Sequence, residues 1–247
     1  GRIDKVELAD PDFRWRYVQA AHFGEVNVYF HIDRMAVYVS SLLGSIHADP
    51  LPPVTAIVNA HHAATNLPGT DERDGVRGQR QWLPFQGAHY RLPGKPIAVV
   101  EHRPISHFGE IHFGPGWRLL EHGALVRSAD SKYRANASHH AGIIYHEYAH
   151  HVVRYTADLR GNRYRPVEQQ DNKKTSLDEG TSDYLAASLL STPHIWAHHQ
   201  RHDSTVVHPR SLASGRTMAS FDRGRNADPH ANGTIWAAAL WDPRRRL

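Results

Sequence analysis

In the stretch YHEYAHH, residues 145–151, His146, Glu147 and His150 form the pattern H-E-x-x-H. On a helix, positions i and i+4 lie one turn apart on the same face. His146 and His150 can then offer two imidazoles to one tetrahedral metal ion. Glu147 sits about 100° further round, too displaced to join them easily as a ligand but able to reach a water on that ion. The metal lowers the pKa of such a water toward ~7, and a carboxylate beside it takes the proton. A chain with 21 histidines produces this pattern by chance roughly 0.06 times, so the motif needs a partner elsewhere. HIWAH, residues 194–198, is an internal control. It repeats the histidine spacing with Ile195 where the glutamate should be, and His194, His198 and His202 read as a solvated face. The pairs at 61–62 and 139–140 take the same reading.

The partner comes from SLDEGTSDYLAASLL, residues 176–190. A hydrolytic zinc site needs a third protein ligand and one open position, and Glu179 can supply that ligand. Asp183, one turn on, can accept the second N–H of a ligand histidine, which fixes its tautomer and ring orientation. The competing reading is a capping box, with Ser176 as N-cap and Glu179 three residues later. H-E-x-x-H followed by E-x-x-x-D, each on an expected helix, is far rarer than either half. The expectation is a zinc centre.

The elements that must carry these groups follow from periodicity. Residues 24–44 read as a helix in which Val28, Ile32, Met35, Val39 and Leu42 or Leu43 recur at three- and four-residue steps. Residues 52–60, 96–102 and 109–114 read as strands. The last alternates apolar Ile111 and Phe113 with polar Glu110 and His112, the pattern of a half-exposed edge. Residues 64–96 hold many Gly and Pro and read as an irregular insertion. Residues 138–159 are expected to be a helix with Ser138 as N-cap. Helices are also expected over 176–190, 193–202 and from 232 onward. The fold class is therefore α+β. Residues 1–157 form an N-terminal lobe with a twisted sheet and the H-E-x-x-H helix, and residues 158–247 form a mostly helical C-terminal lobe.

Composition narrows the partners. The 247 residues are 40% hydrophobic with six Trp, enough for a packed core. The net charge of +4 is scattered, with its longest run at Arg244–Arg246, so no nucleic-acid stripe is expected. There is no cysteine, and any metal must be held by His, Asp or Glu. No apolar run approaches the ~18 residues of a membrane span. The opening GRIDKVELAD reads as a cut end, and the expectation is a secreted or cell-surface protein whose signal has been removed. Asp71, Glu72 and Asp74 make an acidic loop, but oxygen clusters this short are usually solvated, which leaves calcium open and unsupported.

These residues resemble the gluzincin metallopeptidases, specifically their thermolysin and fungalysin branches. GIIYHEYAHHVVRYTADL is similar to the active-site helix of both. DEGTSDYLAAS resembles the segment bearing the glutamate ligand, in a form nearer fungalysin. HANGTIWAAALWD, residues 230–242, resembles a later fungalysin segment, NVYFHIDRMAVYVSSLLG an early helix, and EIHFGPG the substrate-binding edge strand. The resemblance implies a zincin-like fold with zinc on His146, His150 and Glu179, and Glu147 as general base and later proton donor. It also implies Asp183 behind a ligand histidine and His230 as the donor that stabilises the oxyanion. Glu110, Ile111, His112 and Phe113 would pair with an extended peptide. Two departures stand out. The oxyanion tyrosine of thermolysin, eleven residues beyond the second histidine, falls on Gly161 here, leaving Tyr155 or Tyr164 to substitute. The resemblance also implies further C-terminal helices after the position of Leu247.

The function expected is a zinc endopeptidase acting on peptide or protein substrates. One alternative is a zinc-stabilised binding or scaffold module without catalysis, for which Glu147 would have no use. Another is a zinc hydrolase of other amides or esters, because H-E-x-x-H reports activated water and not the leaving group.

Overall fold

A computed structural model of the protein describes residues 20–58, 60–63, 82–84, 87–91, 108–114, 118–121, 124–127, 137–159, 172–195, 210–224 and 227–245. The chain is α+β, and its described residues form four α-helices and a small three-stranded sheet, with two further strand pairs. It divides into two compact units, residues 1–30 with 53–139 and residues 31–52 with 140–247. The division expected at residue 157 put the H-E-x-x-H helix with the N-terminal lobe. Here that helix goes with the C-terminal residues, because it packs against the helix that follows it.

Helix α1 runs over Ala20–Ser45. Val28, Met35, Val39 and Leu43 are its buried positions, while Leu42 is 44% exposed. The apolar stripe thus picks Leu43 from the two leucines the periodicity offered.

In the first unit, β1 (Thr55–Ile57), β4 (Ala88–Arg91) and β5 (Glu110–Phe113) form a sheet in the order β1-β5-β4. β5 pairs parallel with β1, setting Ile57 opposite His112, and antiparallel with β4, setting His89 opposite His112. This corrects the edge-strand expectation for Glu110, Ile111, His112 and Phe113. Their backbone groups face neighbours on both sides, and all four side chains are buried. Alternation marks two chemically different faces, but it does not require the polar one to be wet. Here Glu110 and His112 answer each other, with Nε2 and Oε2 2.9 Å apart. The strand that covers the second side, β4, comes from the stretch expected to be irregular. Gly87, at φ 91°, starts it and its carbonyl accepts from the Gly114 N–H, a backbone angle that favours glycine. β2 (His61–Ala63) pairs with β3 (Trp82–Pro84), and β6 (Arg118–Glu121) with β7 (Ala124–Arg127). The strand expected at 96–102, the acidic loop at 71–74 and most of the 64–96 insertion lie outside the described residues.

In the second unit, α2 (Ala141–Tyr155), α3 (Asn172–Leu190) and α4 (Pro229–Arg244) pack in sequence, α2 on α3 and α3 on α4. Every residue of α2 from Gly142 to Arg154 is buried, as a helix enclosed on all sides must be. Ser138 is not its N-cap. It lies in a short 3-10 turn, Ala137–His139, and His140 occupies the cap position. The α3–α4 crossing is close because both backbones are bare where they meet. A Cβ on Gly180 would stand 2.3 Å from the Gly233 carbonyl oxygen, and one on Gly233 would stand 2.8 Å from the Gly180 nitrogen.

Candidate metal centre

His146, Glu147 and His150 sit on α2, all buried. Opposite them α3 carries Asp178, Glu179, Ser182 and Asp183, and the first turn of α4 carries His230. α3 starts at Asn172, so Ser176 and Glu179 lie inside the helix and the capping-box reading of Glu179 falls away. The helix expected from residue 232 left His230 just ahead of it. Asp228 instead caps α4, and His230 is its second residue.

Of the six residues expected at the site, five come together: His146, His150, Glu179, Asp183 and His230. The Glu179 Oε2 lies 3.1 Å from the His146 Nε2, 3.4 Å from the His150 Nε2 and 3.3 Å from the His230 Nε2. The His146 and His150 Nε2 atoms are 3.1 Å apart. Each histidine has a carboxylate behind it. Nδ1 of His146 is 2.7 Å from Asp183, that of His150 is 2.9 Å from Asp178, and that of His230 is 2.8 Å from Asp228. A carboxylate can only accept, so each ring meets its carboxylate with Nδ1–H, and in the neutral form its Nε2 is left with a lone pair turned inward. Three nitrogen lone pairs and a carboxylate oxygen converging in a buried space repel one another unless a cation, proton or metal, lies among them. Among the described residues, His146, Glu179 and His230, and His150, Asp178 and Glu179, each bring three ligand atoms within 4.8 Å of one another, and those of His146, His150 and Glu179 lie within 3.4 Å.

The donor set fits zinc. Ligands of a tetrahedral zinc bonded at about 2.0–2.1 Å stand about 3.3–3.4 Å apart. The three separations among His146, His150 and Glu179, at 3.1, 3.1 and 3.4 Å, are close to that value. Two imidazoles and a carboxylate, with no thiolate in the chain, are borderline-hard donors suited to zinc.

Sequence reasoning missed Asp178, Asp228, Ser182 and Arg210. Asp178 and Ser182 both approach the His150 Nδ1, Ser182 at 3.0 Å. Arg210 grips both oxygens of Asp183, with Nε to Oδ2 at 3.1 Å and Nη2 to Oδ1 at 2.5 Å. Asp178 and Asp228 stand one residue before Glu179 and two before His230, a proximity that could have flagged them. Arg210 is 27 residues beyond Asp183, in a stretch without periodicity, and nothing in the sequence marked it.

Electrostatics follow the geometry. Burial disfavours the charged form of His146, but the Asp183 carboxylate and the hydrogen bonds to Asp183 and Glu179 outweigh it, and its pKa is raised. Burial likewise works against charge on Glu179. The His150 and His230 rings and the hydrogen bonds to His146 and His150 overcome it and hold the carboxyl well below the usual range. Asp183 is lowered against its own desolvation by Arg210 and His146. Asp228 falls to about 2, chiefly through its hydrogen bond to His230.

Of the tyrosines considered for the oxyanion role, Tyr155 packs its ring 4.9 Å from that of His151, and Tyr164 lies outside the described residues, as do Gly161, His198 and His202. No helix among the described residues is long and apolar enough to cross a membrane. Comparison with protein-family models, with curated proteins and with solved structures returns no match.

Proposed function

We propose that this protein is a zinc-dependent hydrolase of peptide bonds with a zincin-like arrangement of its α+β fold. The observation that carries this reading is the convergence of the His146 Nε2, His150 Nε2 and Glu179 Oε2 within 3.4 Å of one another. A general-base candidate, Glu147, stands on the same helix. His146, His150 and Glu179 would hold the ion, with Asp183 and Asp178 fixing the two ring orientations. A bound zinc acidifies a water and polarises a carbonyl oxygen. Glu147 takes the proton of the attacking water and returns it to the leaving nitrogen. With Asp228 accepting from Nδ1, a protonated Nε2 of His230 donates to the oxygen that gains charge. The absence of matching relatives leaves the resemblance to gluzincins resting on the motifs themselves. Activity outside the cell, at the surface or after secretion, is part of the proposal.

The test is hydrolysis of casein and unfolded peptides by zinc-loaded protein. Glu147→Gln should lower turnover by about 10²–10⁴-fold, the usual worth of a general base, and leave zinc bound. Turnover unchanged in Glu147→Gln would end the proposal. Action on other amides or on esters is the second reading. It is favoured by the central place of β5, which removes the free edge that spoke for a peptide backbone. Ester turnover without proteolysis would establish it.

A further inference from the structure

We infer that His230 is a fourth protein ligand of the resting metal centre, so that the site is closed by its own chain until substrate displaces that ring. The inference rests on the metal-site reading above, and departs from the pure hydrogen-bond donor that the resemblance implies for this residue. Its basis is the equivalence of the three histidines. Each points Nε2 at the same oxygen of Glu179, at 3.1, 3.4 and 3.3 Å. Each has Nδ1 on its own carboxylate at 2.7–2.9 Å. A carboxylate on the far nitrogen is the arrangement that ligand histidines use, because it holds the tautomer and makes the metal-facing nitrogen more basic. His230 has that partner in Asp228, which also accepts from the His230 backbone N–H and so ties the ring to the start of α4. With His146 and Glu179, the His230 ligand atom falls within a mutual 4.8 Å.

Three histidines and one glutamate are the donor number of a tetrahedral shell. His230 groups with His146 and Glu179 while His150 groups with Glu179 separately, so binding all four requires the His150 and His230 nitrogens to draw together on the ion. His230 is the member suited to leave it. Its side chain is 40% exposed, against 6%, 4% and 5% for His146, His150 and Glu179. It also sits in the first turn of its helix, where a ring can swing without disturbing the core. Departure of the His230 nitrogen would break only the metal–nitrogen bond and free a position for substrate or water. The released ring, with Nδ1–H on Asp228, accepts at Nε2 and donates there only after taking up a proton from that water.

The experiment uses the full chain loaded with one zinc, and separately with cobalt(II), whose visible spectrum reports coordination. His230→Ala, at an exposed first-turn position that alanine suits, is checked for folding by far-UV circular dichroism. It should weaken zinc binding, measured by chelator competition, by no less than the roughly 10–100-fold that loss of an outer partner costs. It should also change the cobalt spectrum, and millimolar imidazole should restore it, a rescue that a merely structural residue would not show. Asp228→Asn keeps a good helix cap and should weaken binding about tenfold. If His230→Ala changes affinity by less than about threefold, or the cobalt spectrum is unmoved, the fourth-ligand inference is overturned while zinc on His146, His150 and Glu179 stands. If the wild-type chain takes up no zinc, or Glu179→Ala binds it as well, the metal-site reading itself falls and the inference with it.

Discussion

Gly180→Ala is a substitution whose sign depends on a single contact. In a helix interior alanine is favoured over glycine by about 0.5–1 kcal/mol, because glycine loses more backbone freedom on folding. Gly180 lies inside α3, so propensity alone makes the variant more stable. The structure predicts the opposite. The added Cβ would stand 2.3 Å from the Gly233 carbonyl oxygen and 3.0 Å from its carbon. Those are backbone atoms of a packed helix and cannot turn aside, so α4 has to move off α3 by roughly an ångström. Overpacking of this kind costs about 1–3 kcal/mol. The net expectation is a loss of about 1–2 kcal/mol, or a melting temperature lower by roughly 3–8 °C for a unit of this size. Gly44→Ala is the control. Gly44 lies in α1 with nothing within 4 Å of its Cβ position, and its substitution should raise the midpoint by a few degrees at most. Thermal unfolding of both variants, followed by circular dichroism, decides the matter. A Gly180→Ala midpoint that rises in step with Gly44→Ala would show that the helices do not meet as described. The crossing also sets how near His230 comes to Glu179, so zinc affinity should fall in Gly180→Ala together with stability.

Other consequences are open to measurement. In the metal-free chain His146 is raised above the ordinary 6.5, so its charged form adds stability that is fully present below about pH 6.5 and lost as pH rises through the higher folded value. Glu179 and Asp183 are lowered, and their contribution persists over that window and fades only in acid. The metal-free midpoint should therefore fall from pH 6 toward pH 9, and a flat profile would refute the assignment. Zinc must displace the His146 proton, so its affinity should run the other way, rising by up to tenfold per pH unit until that group is deprotonated. Asp178→Asn should weaken zinc binding by about 10–100-fold, as much as Asp183→Asn; an effect confined to Asp183 would show that Asp178 does not orient His150. Arg210→Met leaves Asp183 paired with His146 alone, and denaturant titration should show a loss of about 1–3 kcal/mol.

What the sequence made legible at this site is what helical arithmetic can reach. His146 and His150 share a face of α2, and Glu179 and Asp183 share one of α3, because four residues make one turn. That two such faces meet is a statement about packing, and it was carried by the rarity of the joint pattern. His230, just ahead of the helix expected from residue 232, lies in the first turn of α4 because Asp228 caps the helix and Pro229 suits its first position. The glycine pair that lets α4 approach could be read only as letters in DEG and HANG. Arg210 shows the limit in the other direction. It belongs to the site through two bonds to a buried carboxylate, yet neither spacing nor local composition separates it from the other arginines of a basic chain. The β5 strand failed for a different reason. Period two reports that Glu110 and His112 share a face and that Ile111 and Phe113 share the opposite one, and that much holds. Whether a polar face meets water or a partner depends on the strands beside it, and here β4 was hidden in a stretch dense with Gly and Pro. A buried glutamate–histidine pair on a central strand looks, in sequence, the same as a wet edge. Periodicity therefore assigns residues to faces, and only the tertiary partners of a face decide what it does.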